Sequence, residues 1–170
     1  MLTHLYPEAD IPTVQLSINA LQPLEYHVDL AARLAPLRER GVMILSSGNV
    51  VHNLKRVRWN DPEAAFDWAQ RFDEAAVAQM AQDPGAVLKL VEHPDYDLAV
   101  PTPDHFIPLL YTAGLAAAGE GTAKTLVSGY SMGSLSMTCY GVGVDAIDLG
   151  RQGAAAASLP SDVPPEQTNT

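Results

Sequence analysis

The stretch LEYHVDLAARLAPLRERGVMILSSGNVVHN, Leu24 to Asn53, decides the fold class. Its first part reads as a helix over Leu24 to Arg40. Leu24, Val28, Ala31 and Ala35 recur at helical spacing on one face, with Leu34 and Leu37 beside them. Arg38 and Arg40 stand in the last turn, and Gly41 stands where a left-handed C-terminal cap is expected. The helix is followed at once by the short apolar run VMILSS, Val42 to Ser47, which has the character of a buried strand. The turn-prone pair Gly48-Asn49 comes next and leads to His52.

The same alternation continues outward in both directions. PTVQLSI, Pro12 to Ile18, alternates apolar and polar residues and predicts a strand. Downstream, Asp61-Pro62 has the form of a cap and first-turn proline, predicting a second helix with Ala65, Phe66, Ala69, Phe72, Ala76, Val77 and Met80 on its face. A short helix is expected after Asp83-Pro84-Gly85. Thr102-Pro103 then opens a third long helix, with Ile107, Leu110, Tyr111, Gly114, Leu115 and Ala118 on its inner face. Thr125 to Ser128 and Ser134 to Val142 read as the last strands. The expected class is therefore α/β, a sheet flanked by helices, occupying residues 1–145. From Ala146 the composition shifts to Ala, Ser, Pro, Gln and Thr, and 146–170 reads as a disordered tail.

Composition excludes some classes of partner. The chain has 170 residues and is 47% hydrophobic, enough for a core of its own. Ten Lys and Arg stand against twenty Asp and Glu, a formal net charge of −10. Binding to nucleic acid or to an anionic membrane surface needs clustered positive charge, so neither partner is expected. Met1 to Pro12 has no basic and apolar signal pattern, which makes the cytoplasm the expected location. The single cysteine, Cys139, lies in an apolar strand-like stretch and is expected to be a buried thiol.

Five histidines carry most of the chemical interest. His52 follows the VMILSS run on a loop beyond the carboxyl end of a strand, where α/β folds place reactive groups. That position equally suits a turn histidine bonded to backbone. His105 falls at the start of the third long helix. The positive end of a helix dipole disfavours an imidazolium, so a neutral proton acceptor fits there, as does a polar residue facing water. His4, His27 and His93 read as surface or packing residues. No local spacing supplies a complete metal site. Gly129-Tyr130-Ser131-Met132-Gly133 matches the nucleophile-elbow pattern of serine hydrolases with Ser131 as nucleophile. However, strand-like residues follow it where a helix should, and no histidine lies after His105 to close a triad. A tight turn between two strands is the better reading.

Four segments together resemble the DOPA-dioxygenase-type branch of the LigB-like (class III) extradiol ring-cleaving dioxygenases. They are YPEADIPTVQLSI (Tyr6 to Ile18), ILSSGNVVHNL (Ile44 to Leu54), PTPDHFIPLLY (Pro101 to Tyr111) and GSLSM (Gly133 to Met137). The resemblance implies an α/β fold and ring opening of a small catechol-type aromatic diol with O2 at a non-haem metal. The metal is Fe(II) by this resemblance, with zinc as the alternative. It also implies that His52 is a metal ligand, that His105 is the histidine handling protons, and that Gly48 and Asn49 shape the turn presenting His52. In such proteins two further ligand histidines belong upstream, one near the N-terminus and one in a DHG-type motif. Neither motif occurs here, and His4 lacks the flanking Asp and Gly. The resemblance therefore covers a C-terminal portion with an incomplete metal site, expected to be inactive by itself. An incomplete sheet favours association with a second copy or with the missing N-terminal segment. The alternatives to a dioxygenase are a non-catalytic remnant or interaction module of the same fold, and the serine hydrolase.

Overall fold

In the computed structural model, residue 8 and residues 10–119 and 121–144 are described. His4 and the expected tail 146–170 lie outside them. The chain runs through helix α1 (Leu24–Leu34), the short α2 (Pro36–Glu39), α3 (Asp67–Gln82), the single turn α4 (Tyr96–Ala99) and α5 (Ile107–Ala118). Three 3-10 segments intervene at Leu54–Arg56, Pro84–Glu92 and Pro103–His105. Four short strands follow: β1 (Lys124–Val127), β2 (Tyr130–Ser131), β3 (Leu135–Ser136) and β4 (Cys139–Gly141). β1 pairs with β4 and β2 with β3, both antiparallel. The class is α/β, with helices around small sheets.

Helix α5 is the centre because IPLLYTAGLAAA is apolar on every face. Ile107, Leu110, Ala113 and Ala116 are fully enclosed, and Leu109, Tyr111 and Leu115 are nearly so. A helix that is apolar all round must be covered all round. α1 covers one side, and closest approach falls at Gly114. A Cβ there would stand 2.8 Å from the Ala31 Cβ and collide with the Val28 carbonyl oxygen. His27 of α1 is completely buried, and its Nδ1 lies 3.3 Å from the Tyr111 hydroxyl of α5. Burial lowers the His27 pKa, so this packing histidine is held neutral. On the other side the 3-10 segment Pro84–Glu92 packs against α5, and α3 packs in turn on that segment, adding Ala69, Phe72, Ala76 and Met80 to the core. The Phe72 ring meets His93, Tyr96 and Phe106.

Several elements differ from the sequence reading, each for a physical reason. The helix expected over Leu24 to Arg40 is broken after Leu34, because Pro36 has no N–H to continue the ladder. Its end is as expected: Gly41 has φ 78°, and the Val42 N–H reaches back to the Leu37 carbonyl at 3.1 Å. The second helix starts at Asp67, not Asp61. The Phe66 N–H goes instead to the Gly133 carbonyl at 2.8 Å, and Ala65 bridges to Gly133, so tertiary pairing holds residues 61–66 out of the helix. The third helix starts at Ile107, preceded by a 3-10 turn. Pro108 is tolerated only in the first helical turn, which sets the start.

The two expected N-terminal strands do not form, and their segments join neither described sheet. Ile11, Val14, Leu16 and Ile18 are exposed, as are Val42, Met43 and Leu45. Alternation gives a segment two faces, but a strand also needs a neighbour in register. Cys139 is exposed, not buried. The short β4 turns Cys139 outward while Thr138 before it is buried.

Because Gly114 touches the α1 backbone, Gly114→Ala should force α1 and α5 apart. The expected loss is about 1–3 kcal/mol. Urea unfolding should show a lower midpoint with an unchanged slope.

Candidate active site

The site is built on the loop Ser46 to Asn53. At Gly48 the loop backbone passes directly over the turn carrying His105. A Cβ at Gly48 would clash with the His105 carbonyl oxygen and stand 2.7 Å from the Pro108 Cγ. Only glycine permits this approach. Asn49 donates its side-chain amide to the Ser136 carbonyl at 2.7 Å. Val50 and Val51 are buried in the core.

His52 is then held from two sides by its backbone. Its N–H donates to the Ala99 carbonyl at 2.9 Å, and the residue bridges antiparallel to Leu135. Asn53 completes the clamp. Its side chain donates to the Leu98 carbonyl at 2.8 Å and accepts the Lys55 N–H at 3.1 Å. Its own N–H goes to the Ser134 carbonyl at 3.1 Å, and the Ser134 hydroxyl returns to the Asn53 carbonyl at 2.7 Å.

The loop and the 3-10 turn Pro103–His105 bring the two histidines together. Their rings stack with centroids 3.6 Å apart and planes within 14°. Asp104 Oδ2 lies 3.4 Å from His105 Nε2. Burial, and then the neighbouring His105, lower the His52 pKa, with Asp104 acting in the opposite direction. The Asp104 carboxyl is held below its ordinary range, chiefly by a hydrogen bond from the Thr102 side chain, with both histidines adding to the effect. These effects together favour the neutral imidazole of His52, the form whose lone pair can take a metal or a proton. The His105 side chain is 41% exposed and borders an open cavity, also lined by Ser46, Asn49, Thr112, Thr138 and Tyr140.

The other sequence candidates separate from this pair. His27 is in the core. His93 accepts the Asp95 N–H at 3.1 Å and packs its ring on Phe72, a structural role. Ser131 lies in β2, and Met132 (φ 53°) and Gly133 (φ 85°) turn the chain into β3, not into a helix. That geometry is a hairpin and removes the nucleophile elbow. The sequence reading missed Asp104, although it adjoins His105. It also missed Asn53, whose two-sided hydrogen bonding has no signature in spacing.

A profile of the catalytic LigB subunit of aromatic ring-opening dioxygenases matches residues 2–143. The chain belongs to the LigB family. A "4,5-DOPA dioxygenase extradiol" from Escherichia coli (strain K12) is 42% identical over 147 residues, covering 84% of this chain and 54% of that protein. One from Beta vulgaris is 34% identical over 125 residues, covering 72% of this chain and 46% of that protein. The crystal structure of an uncharacterized E. coli K12 protein superposes with a TM-score of 0.74 at 40% identity, covering 84% of this chain and 59% of that one. This LigB-family chain thus spans about half the length of the curated relatives it matches. These likenesses place it in the DOPA-dioxygenase branch of the family. Among the described residues, no three His, Cys, Asp or Glu side chains are grouped to hold a metal ion. The stacked His52–His105 pair by itself is not a full ligand set for such a centre.

In the metal-free chain His52 should titrate below the ordinary imidazole value of about 6.5. Because its folded pKa is depressed, the unfolded state takes up the proton more readily, and His52 withdraws stability as the pH falls below that value. His105→Ala removes the adjacent ring and like charge, so the His52 midpoint should rise. Proton NMR of the imidazole signals against pH checks both.

Proposed function

We propose that this protein takes part in extradiol opening of a small catechol-type aromatic diol by O2, with His52 as a ligand of a non-haem metal and His105 as the proton-handling histidine. The observation that carries the reading is the stacked His52–His105 pair beside an open cavity in a LigB-family chain. The names of the relatives in E. coli and Beta vulgaris support the reaction class. The metal is Fe(II) in this reading, with zinc as the alternative. When bound, it supplies a template that gathers the diol and O2 and lowers the hydroxyl pKa.

The chain's own residues do the rest. His52 offers a lone pair because burial keeps its imidazole neutral. Its backbone is pinned by Ala99 and Leu135, which fixes the point from which the ring leaves the chain. His105 sits between His52 and the cavity lining with Asp104 beside it. A histidine so placed can accept a proton from a diol hydroxyl and return it to the opened product. Asn49 and Thr112 offer polar groups to the cavity wall, and Leu109 and Pro108 offer apolar surface for a ring. The remaining metal donors come from outside the described residues, either from a further segment of polypeptide or from a second copy. No described helix is long and apolar enough to cross a membrane.

The test is oxygen uptake with Fe(II) and a simple catechol, with ring-opened product followed in parallel. The 170-residue chain by itself should show none. A chimera in which residues 10–144 replace the matching part of the 42%-identical E. coli relative should be active. In that chimera His52→Ala should abolish uptake, and His105→Ala should lower turnover by about 10²–10⁴. A folded but inactive chimera would favour a non-catalytic module. Uptake by the isolated chain would overturn the incomplete site.

A further inference from the structure

The loop that carries His52 hangs on one short segment, Ser134 to Thr138. Asn53 exchanges bonds with Ser134, Val51 accepts the Ser136 N–H at 3.0 Å, and Asn49 donates to the Ser136 carbonyl. Within that segment β3 is only two residues long, and its ladder partner β2 is no longer. A ladder this short has little stability of its own. Something else must hold it.

The holder is Asp73 of α3. It is 3% exposed, and it stands on the same side of the helix as Ala69, Phe72 and Ala76, all buried. Its Oδ1 accepts the Ser136 hydroxyl at 2.5 Å and its Oδ2 accepts the Thr138 hydroxyl at 2.7 Å. Burial first, and then the nearby Asp73 carboxyl, push the pKa of the Tyr130 hydroxyl, on the strand opposite Ser136, up to about 12. Among the described residues no basic side chain forms an ion pair with Asp73. One enclosed acid thus gathers two hydroxyls of the Ser134–Thr138 segment and moors them to a sixteen-residue helix. Enclosing a carboxylate is costly unless hydrogen bonds meet it, and here both oxygens are met. The backbone N–H and carbonyl of the same Ser136 hold Val51 and Asn49 of the His52 loop.

We propose that Asp73 is a positioning residue for the His52–His105 pair, fixing β3 and through it the turn from which His52 meets His105. The inference rests on the functional reading only for the importance of that pair. Its test needs no metal and no turnover, so either idea can fail without the other.

The experiment compares the whole chain with Asp73→Asn, Asp73→Leu and the double variant Ser136→Ala/Thr138→Val, all metal-free. Two signals are read. Stacked imidazoles shield each other's ring protons, so the His52 and His105 resonances report the pair directly. Amide hydrogen exchange at Asn53 and Ser136 reports the loop, and exchange within α5 reports global stability. In Asp73→Leu the ring shielding should vanish and the loop amides should exchange at least about tenfold faster, with α5 amides changed by less than about twofold. Asp73→Asn retains polar partners for both hydroxyls and should keep most of the shielding. The double variant should reproduce Asp73→Leu, and it decides the matter in the same way if Asp73→Leu does not fold. Shielding that survives in Asp73→Leu or in the double variant would overturn the proposal. So would loop and α5 amides that accelerate together.

Discussion

Everything at the site depends on two backbones passing closer than side chains ordinarily allow. Gly48 lies against the His105 carbonyl and the Pro108 ring, and no other residue could stand there without pushing the loop away. That contact sets the separation of the two polypeptide turns, and the stacked imidazoles are its result. The loop has almost no regular structure, so its rigidity comes from backbone groups satisfied in detail. The Ala99, Leu98 and Ser134 carbonyls each take a donor from the stretch His52–Asn53. Loops that carry reactive groups must be held by a rigid scaffold. Here the scaffold is α3, α5 and a hairpin whose stability is borrowed from them.

The electrostatics follow from that geometry. Two imidazoles face to face oppose a shared positive charge, and partial burial opposes it further. Asp104, held ionised by Thr102, works against both at the outer side. The arrangement leaves the inner ring, His52, poor in protons and the outer one, His105, beside an anion and open to the cavity. The two histidines thus differ in environment although they touch, and a difference of environment is what lets similar groups take different roles.

Much of this was legible in the sequence. The apolar stripe of α5 and the capping glycine at 41 follow from periodicity and turn chemistry. SGNVVHN and TPDH are singled out by their positions at the ends of elements and by family resemblance, and the structure brings their histidines together. What could not be read was set by tertiary partners. Residues 61–66 carry a helix-start signal but pair with Gly133 instead. Pro12 to Ile18 and Val42 to Ser47 have strand patterns but lack a place in the described sheets. Asp73 could have been suspected, because it stands four residues after Ala69 on an otherwise apolar line. Its hydroxyl partners lie sixty and more residues away, and no local pattern announces them.

The exposed row at Ile11, Val14, Leu16 and Ile18 bears on how molecules of this chain meet one another. Such a row presents oily side chains on a segment that belongs to neither described sheet, a surface that invites sticking. The chain also carries ten more acidic than basic groups, so two copies repel as they approach. Repulsion of that kind reaches only about 10 Å at 0.1 M salt and shrinks as electrolyte is added. The colloidal behaviour of the chain is therefore a contest between a short-range adhesive strip and a screened long-range charge, and ionic strength is the dial that moves the balance.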